Sequence, residues 1–597
     1  MGGAGDNGGM YVLLARGAAD RRAPLTPLSA APAGAGAPAQ PVVLQPLDEH
    51  GHPAGEARTL GPAELPAAVA HFEAAGARWV WDGTRAAYAP LLAAGLRVER
   101  CHDLALVRGI LRFSPAAAAT PYVEKLRAEA PDEDQPDLLP RSVPPARVSP
   151  DQGSLFDDAG LPGADVPAPG PDTAAMAAEL AEQLAAVAGS PSRQRLALLC
   201  AAESAGGLVA AEMEHAGIPW RRNLHEAMLE EQLGPRPPEG SRPRELETLV
   251  EQLRAALGSP RLNPDSPQEL IRALHRAGIE VRSTRSWELQ QHSHPAIEPL
   301  LRYKKLARLL AANGWHWLDA WVHDDRFRTE YVVGGVVSGR WSSRGGGALQ
   351  IPKEVRDAVR PDPGHRLVVA DAAQLEPRVL AALGQDDGLA AAARGQDLYQ
   401  GIADQGFGGD RAKAKMAMLG AMYGATSGEA GRLMPVLTRA YPRAIGVVEQ
   451  AARTGEAGGT VASHLGRGCP PASERWRAAQ RTASAEEQRR ADALARSRGR
   501  FTRNFVVQAS AAEWALCWLA GIRRRLRAAS ADGRGPAGEL VFFLHDEVML
   551  HVPSHRAEEA AAAVQTAAAE ATSLLFGRIP LEFPVQTVIV DSYADAK

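Results

Sequence analysis

Residues 541–552 read VFFLHDEVMLHV, two apolar runs on either side of His545, Asp546 and Glu547. Apolar runs of this length around a short polar segment predict a β-hairpin with two carboxylates at its tip. Hairpin turns more often contain Gly or Asn, and neither occurs here. An ordinary polar turn is the alternative interpretation, and it would need no function.

A second apolar stretch, LVVAD at residues 367–371, also ends in an acid, Asp371. An Asp in this position more often caps the helix that follows. A carboxylate at the end of a buried strand is costly, however, unless a cation neutralises it. Asp371 and Asp546 could therefore converge on a pair of Mg²⁺ ions, an arrangement suited to phosphoryl transfer.

A helical stripe is predicted within RAKAKMAMLGAMYG, residues 411–424. Arg411, Lys415, Leu419 and Tyr423 are spaced four apart, and each step of four drifts only about 40° around a helix. Arg and Lys one turn apart could hold a polyphosphate, with Tyr423 placed for a base or sugar. A solvated basic face is the commoner meaning of such a pair.

Composition limits the class of protein. The 597 residues include 66 Lys or Arg and 70 Asp or Glu, and 45% are hydrophobic, which excludes wholesale disorder and predicts three or four domains. No long uncharged apolar run occurs, so no membrane span is expected. The N-terminus lacks a secretory pattern, and four widely spaced cysteines argue against disulfides or zinc. A cytoplasmic, nucleoid-associated protein is predicted.

Taken together and in this order, these segments resemble the family A DNA polymerases, the DNA polymerase I group. The resemblance covers roughly residues 196–597. It is greatest to the actinobacterial bifunctional 3′–5′ exonuclease/DNA polymerase type, which lacks a 5′-nuclease domain. The family's motifs A, B and C are resembled by DAAQLEPR, RAKAKMAMLGAMYG and LHDEV respectively. The segment SGRWSS resembles the family's entry into the palm, and RNFVVQ resembles its helix facing the primer–template minor groove.

The resemblance implies a multidomain α/β and α fold, a right hand of palm, fingers and thumb with an N-terminal degenerate RNase H-like exonuclease domain. The first strand, residues 11–16, carries no Asp-x-Glu, and Asp82 and Asp103 are the only plausible catalytic remnants. Proofreading is therefore expected to be absent. We expect an exonuclease-like domain over residues 1–125 and a disordered, acidic Pro/Gly-rich linker over 126–175. A helical thumb is expected over 176–330, a palm formed by 331–383 and 501–597, and fingers over 384–500.

Residue roles follow from the resemblance position by position. Asp371 and Asp546 would bind two Mg²⁺ ions, for which Mn²⁺ is expected to substitute, with the Ala372 carbonyl as a further ligand and Glu547 nearby. Lys415 would also protonate the leaving pyrophosphate. Nucleotide contacts are expected from Arg411, Lys415, Leu419, Tyr423, Glu376, Gln374 and Tyr399, and DNA contacts from Arg340, Arg500, Asn504, Gln508 and His545.

Three of these positions depart from the family pattern. Ala372 stands where motif A usually has an aromatic residue, and Leu419 stands where motif B usually has Phe or Tyr. Tyr399 replaces the family's nucleotide-binding His. The acids, the Arg–Lys pair and Tyr423 are retained, so the chemistry is expected to persist with altered stacking on the nucleotide.

The implied function is a template-directed DNA polymerase that adds dNMP to a primer 3′-hydroxyl, releases pyrophosphate and does not proofread. Its partners would be primer–template DNA and dNTPs, and the protein would be monomeric. A catalytically silent primer–template binder and a family A RNA polymerase are the alternatives. Retention of Asp371, Asp546 and Lys415 favours an active enzyme, because binding alone would not require buried acids.

One motif lies in the expected linker. Gln152, Leu155 and Phe156 belong to QGSLF, which resembles the peptides by which bacterial replication and repair proteins dock on the sliding clamp. Leu155 and Phe156 would fill an apolar pocket while the linker supplies reach. An accidental Leu-Phe pair is the alternative, since motifs this short arise by chance.

Overall fold

The computed structural model describes residues 10–16, 41–129, 172–347, 351–395, 397–424 and 428–596. The candidate clamp motif at Gln152, Leu155 and Phe156 lies outside these residues. Within them the chain forms a mixed sheet near the N-terminus, a helical region, and an antiparallel sheet joined to a long series of helices.

The N-terminal unit is a five-stranded sheet in the order β3-β2-β1-β4-β5. β1 pairs antiparallel with β2 and parallel with β4. Because side chains alternate across a strand, Val12 and Leu14 enter one core and Leu13 and Ala15 another. The elements are β1 (Tyr11–Arg16), β2 (Val42–Leu47), β3 (Arg58–Leu60), α1 (Leu65–Ala74), β4 (Arg78–Trp81), α2 (Thr84–Ala93), β5 (Cys101–Asp103), α3 (Leu104–Phe113) and α4 (Pro121–Glu129).

Two helices after the predicted linker pack on this unit. α5 (Thr173–Ala188) places Ala177 and Leu180 against the β1 face that carries Leu13, and α6 (Arg193–Ala216) contributes Leu208 to the opposite core. The expected boundary at 175/176 therefore does not separate two packing units. The expected linker limits are also too wide, since α4 continues to Glu129 and α5 begins at Thr173.

The next region is helical, with a core of aromatic and leucine side chains around Trp220 and Trp317. Helices α11 and α12 meet at Gly314, where a side chain would lie 2.3 Å from the Leu310 carbonyl oxygen, so this junction favours glycine. The elements are β6 (Ile218–Pro219), α7 (Arg222–Leu233), α8 (Arg244–Ala256), α9 (Pro267–Arg276), α10 (Ser286–Leu289), α11 (Ile297–Asn313), α12 (Trp315–Trp321), β7 (Val322–His323), β8 (Arg326–Phe327), β9 (Glu330–Val332) and β10 (Ser342–Arg344).

A long run of helices follows strand β11 (His365–Ala372). Its last helix has 46 residues and begins with a capping box formed by Ser484 and Glu487. RNFVVQ, residues 503–508, lies in the middle of this helix. The helices are α13 (Leu375–Gly384), α14 (Asp387–Ala392), α15 (Leu398–Gly406), α16 (Arg411–Tyr423), α17 (Gly428–Ala440), α18 (Pro442–Glu456), α19 (Glu474–Ala479) and α20 (Ala485–Ser530).

The C-terminal part completes a four-stranded antiparallel sheet in the order β12-β13-β11-β14. Its strands beyond β11 are β12 (Glu539–Leu544), β13 (Glu547–Pro553) and β14 (Val585–Val590), with α21 (Ala557–Phe576) between the last two. α20 and α21 pack together through buried residues such as Trp518 and Val564, whose indole N–H and carbonyl are hydrogen-bonded at 3.0 Å. The predicted hairpin at residues 541–552 is thus formed by β12 and β13.

Two helices, α6 and α20, are long and apolar enough to cross a membrane by length and composition alone. In each, most of the apolar window is buried inside the protein, 72% and 78% respectively. Both are core helices of this fold, so this property is weak evidence for a membrane span.

Candidate active site

The turn between β12 and β13 consists of His545 and Asp546. His545 adopts a left-handed φ of 56°, the conformation that a two-residue hairpin turn requires at this place. The Asp546 carbonyl accepts a hydrogen bond from the Ala372 N–H at 2.8 Å. Asp371 is paired with Glu547 in the register of β11 and β13. The two acids Asp371 and Asp546 therefore lie at the same end of neighbouring strands.

Glu547 is held beneath this end of the sheet. It is 2% exposed and its carboxylate accepts a hydrogen bond from the Tyr593 hydroxyl at 3.0 Å. Burial, reinforced by the Glu547 charge, raises the pKa of Tyr593. Tyr593 therefore stays a neutral donor, and it fixes the Glu547 side chain next to the strand-end acids.

The donor set suits Mg²⁺. Asp371 and Asp546 supply carboxylate oxygens and Ala372 a backbone carbonyl, all hard ligands. Among the described residues, no group of three or more His, Cys, Asp or Glu side chains could by itself hold a metal ion. Mg²⁺ commonly takes one or two protein carboxylates and completes its coordination with water and substrate phosphates. The pair of acids therefore fits a metal that is shared with a phosphate substrate.

The predicted stripe lies on α16, as the spacing indicated. Arg411 and Lys415 lie over the ring of Tyr399, with 5.8 and 5.9 Å from the cationic groups to the ring centroid. Arg411 Nε also donates a hydrogen bond to Asp397 Oδ2 at 2.6 Å. Burial raises the pKa of Tyr399 to about 12. Two cationic groups thus lie over one neutral aromatic ring, and one of them, Arg411, is already paired with the Asp397 carboxylate.

A cleft lies between α16, α13 and the hairpin tip. Gln374, at its wall, has a left-handed φ of 48° and accepts a hydrogen bond from the Leu398 N–H at 3.2 Å. Arg411, Lys415 and Asp371 are not among its lining residues. The cleft brings together eight of the predicted site residues, Arg340, Gln374, Glu376, Tyr399, Leu419, Tyr423, His545 and Asp546.

Glu376 joins two of these residues across the cleft. Tyr423 donates its hydroxyl to Glu376 Oε2 at 2.7 Å, and Arg340 forms an ion pair with Glu376. The Glu376 side chain is 12% exposed. Burial and the Glu376 charge raise the pKa of Tyr423, so its hydroxyl remains a donor. The Glu376 carboxylate thus has two partners, Tyr423 and Arg340.

The residues predicted to contact DNA have distinct surroundings. Gln508 Oε1 accepts a hydrogen bond from Ser338 Oγ at 2.7 Å. Asn504 Oδ1 is buried and has no hydrogen-bond partner among the described residues. Arg500 packs against Gly424, where a side chain would lie 2.7 Å from Arg500 Cγ. Burial, assisted by Arg340, lowers the pKa of His545 to about 4, so this imidazole is neutral at pH 7.

Two buried arginines near the site received no role from the sequence. Arg378 is 0% exposed and donates hydrogen bonds of 2.8–3.0 Å to four backbone carbonyls. Burial lowers its pKa to about 10. Arg503 lies in the quoted RNFVVQ segment. Most of their acceptors belong to segments far away in the sequence, so no local pattern indicates these contacts.

The two acids noted in the N-terminal unit have structural partners. Asp103 caps α3 by accepting the Leu106 N–H at 3.0 Å, and it also accepts the Thr84 N–H and hydroxyl. Asp82 forms an ion pair with Arg108. Within the part of the chain that the structure describes, these acids form no metal-binding cluster.

The antiparallel sheet thus carries two acids at one end, and α16 holds two cations over Tyr399, a residue of the adjoining cleft. This combination suits a phosphoryl-transfer reaction. The model of the DNA polymerase family A matches residues 241–591. The match covers more than half of the chain, and the chain belongs to DNA polymerase family A. The family predicted from the sequence is therefore confirmed.

Individual relatives are distant. The chain is 26% identical over 391 residues to the thermostable DNA polymerase I of Thermus filiformis, which covers 58% of this chain and 43% of that protein. It is 26% identical over 359 residues to DNA polymerase I of Chloroflexus aurantiacus, covering 52% and 36%. The chain thus matches less than half the length of these curated relatives.

A solved structure extends the likeness to nearly the whole fold. The POL domain of Pol1 from M. smegmatis, in complex with DNA primer–template and dNTP, superposes with a TM-score of 0.65. The match covers 93% of each chain at 18% identity. The expected helix-rich, mixed α/β polymerase-domain fold is confirmed.

Proposed function

We propose that this chain is a template-directed DNA polymerase that adds dNMP to a primer 3′-hydroxyl and releases pyrophosphate. The observation that carries the proposal is the cleft, which joins the hairpin acid Asp546, the α16 residues Leu419 and Tyr423, and Glu376. The structural neighbour was captured with primer–template and dNTP, which supports the same ligands for this chain. Family membership supports the same reaction.

The two acids would hold Mg²⁺. When bound there, Mg²⁺ would increase the nucleophilicity of the primer 3′-hydroxyl and neutralise charge on the phosphate oxygens. Asp371 and Asp546 are suited to this role because they meet at one end of the sheet, and Ala372 is tied to the hairpin by its N–H bond to Asp546. The same oxygen ligands would also bind Mn²⁺.

The α16 stripe would bind the triphosphate. Arg411 and Lys415 approach the same Tyr399 ring from α16, which orders two flexible cations in one direction. The phosphates would take the place of Asp397 as partner of Arg411, an exchange of one anion for another. Lys415 would donate a proton to the departing pyrophosphate. Leu419, one turn further along α16, offers an apolar surface in place of aromatic stacking.

Glu376 would exclude ribonucleotides. Its carboxylate is fixed from two sides by Tyr423 and Arg340, so it presents a rigid wall in the cleft. A 2′-hydroxyl would have to displace one of these partners or collide with the carboxylate. The DNA strands would lie on the remaining predicted contacts, with Arg340 and Gln508 donating to the minor-groove acceptors that all base pairs share.

The N-terminal unit would be a degenerate exonuclease-like domain. A mixed sheet with β2 antiparallel supports an RNase H-like arrangement. The β1 side chains Leu13 and Ala15 are apolar and pack against α5, so they offer no carboxylate to a metal pair. The Asp103 carboxylate serves as a helix cap. This part of the chain would support the polymerase without proofreading. The actinobacterial subtype remains a prediction.

The test of the proposed function is extension of a primer on a DNA template by the purified chain, with dNTPs and NTPs supplied separately. Template-dependent extension with dNTPs in Mg²⁺ supports the proposal. Preferential extension with NTPs would indicate an RNA polymerase. Binding of primer–template without extension by either substrate would identify a silent binding protein.

A further inference from the structure

Arg503, in the middle of α20, connects the end of α16 to two neighbouring helices. Its guanidinium donates one hydrogen bond to the Ala421 carbonyl at 2.8 Å and another to Glu449 Oε1 of α18 at 2.6 Å. Arg503 is 7% exposed, whereas the Glu449 side chain is 37% exposed. Three helices therefore meet at one buried cation whose charge is balanced by a carboxylate.

The Ala421 carbonyl belongs to a helix end that needs such a partner. α16 ends at Tyr423, and Gly424 turns the chain away with a left-handed φ of 74°. The last four carbonyls of a helix have no later helical N–H to bond with. The Gly424 N–H serves the Gly420 carbonyl, and Arg503 serves Ala421. A cation at this end is also favoured by the helix dipole.

The anchored turn carries a cleft residue. Tyr423 follows Ala421 by two positions, and its hydroxyl is bonded to Glu376 at 2.7 Å. Because the backbone of a helical turn is stiff, a fixed Ala421 carbonyl also fixes the position from which Tyr423 reaches Glu376. Arg503 is not among the residues that line this cleft; it lines a separate cavity with Gly420, Gly424 and Glu449.

We propose that Arg503 is a positioning residue for sugar selection. It anchors the last turn of α16, the turn places Tyr423, and Tyr423 holds Glu376 against the position of a 2′-hydroxyl. This inference rests on the proposed polymerase function and adds a buried residue that contacts neither nucleotide nor DNA.

The first experiment measures the ratio of kcat/KM for NTP to kcat/KM for dNTP in Arg503→Met, which keeps a long apolar side chain but loses both donors. We expect this ratio to rise by about tenfold, the effect of one lost hydrogen bond to a charged group. Arg503→Lys retains the charge and one contact, so its ratio should lie between that of the wild type and that of Arg503→Met. Arg524→Met is the matched control, because Arg524 is an exposed, ion-paired residue of the same helix, and its ratio should be unchanged.

A double-mutant cycle tests the route through Tyr423. In a Tyr423→Phe background the hydroxyl is already absent, so Arg503→Met should raise the ratio little further. Effects of the two changes that multiply would overturn the proposal. An unchanged ratio in Arg503→Met, with kcat/KM lowered equally for both substrates, would also overturn it, since Arg503 would then serve stability alone.

Hydrogen exchange separates this inference from the proposed function. A wild-type chain that extends no primer would refute the polymerase function itself. In that case the rate of amide exchange in residues 420–424 still tests whether Arg503 anchors the last turn of α16. Faster exchange in Arg503→Met than in Arg524→Met supports anchoring, and equal exchange overturns it.

Discussion

At the scale of single residues, Glu376 is the point on which the polar contacts of the cleft converge. It accepts from Tyr423 and pairs with Arg340, and it is 12% exposed. A carboxylate with two partners keeps one orientation, which makes it an effective steric barrier. In the proposed function, Arg340 would donate to a base pair as well as to Glu376. The proposed sugar selection and primer–template contact would thus be coupled through the Arg340–Glu376 pair.

Glu376→Ala should increase NTP incorporation relative to dNTP incorporation, by about tenfold or more if the barrier contributes at least 1.4 kcal/mol. The measurement is the ratio of kcat/KM for the two substrates in primer extension. Glu376→Gln keeps the size of the side chain and is the matched control, with a smaller expected change. An equal ratio in wild type and Glu376→Ala would place sugar selection elsewhere in the cleft.

At the scale of elements, an aromatic cluster joins α7 to α12 and strand β8. His225 lies within it, fully buried, between Trp220 and Trp317. Its Nδ1 accepts the Trp220 indole N–H at 3.2 Å, and its Nε2 contacts the Asn313 carbonyl at 2.9 Å. Burial lowers the pKa of His225 to about 4 from its ordinary 6.5. The folded helical region therefore requires a neutral imidazole at this place.

This pKa gives the helical region a pH-dependent stability. Between pH 6.5 and 4 the unfolded chain binds a proton at His225 that the folded chain does not, so stability is present above pH 6.5 and is lost as the pH falls. The expected loss for this one group is about 1–3 kcal/mol. Thermal unfolding midpoints at pH 7 and pH 5 measure it, and His225→Gln should reduce the difference. An equal pH dependence in wild type and variant would contradict this assignment.

The sequence predicts elements better than it predicts contacts between them. Helices such as α5 and α9 begin at local signals, the caps Asp172 and Ser266, which a sequence pattern can contain. The alignment of four residues on α16 follows from helical spacing alone. The pairing of Arg340 with Glu376 joins residues 36 positions apart, and Arg503 meets Ala421 across 82 positions. Only tertiary packing creates such contacts, so no local pattern could indicate them.

At the scale of the whole molecule, the N-terminal unit is fixed to the rest of the chain by a buried ion pair. Arg523 of α20 pairs with Glu212 of α6 at 2.9 Å and also donates to the Glu99 carbonyl at 2.9 Å. Glu212 accepts the Tyr88 hydroxyl at 2.7 Å. The unit thus shares a core with α6 and a charge network with α6 and α20. Such attachment agrees with a supporting role for this unit.

We expect the purified chain not to shorten a single-stranded or mismatched DNA 3′ end. A second metal pair would need clustered carboxylates, and the β1 positions are occupied by Leu13 and Ala15. The measurement is release of nucleotides from a labelled primer in Mg²⁺ without dNTPs. Trimming that persists in Asp371→Ala would show an independent nuclease site and contradict the prediction.

We also expect the QGSLF motif to bind the sliding clamp, since tethering would raise the local concentration of a chain that is not strongly basic. The measurement is clamp binding and clamp-stimulated extension by the wild type and the Leu155→Ala/Phe156→Ala double mutant. The double mutant should lose both while unstimulated extension stays the same. Equal behaviour of the two proteins would assign these residues to the linker alone.

The most direct test of the polymerase assignment combines primer extension with primer–template binding in Asp371→Ala and Asp546→Ala. Each change removes one of the two carboxylates at the sheet end, so extension should fall by at least about two orders of magnitude. Binding of primer–template should remain close to that of the wild type. Asp387→Ala, at an exposed ion pair with Arg443, is the control and should extend normally. Substantial extension by either site variant would contradict the assignment of these two acids.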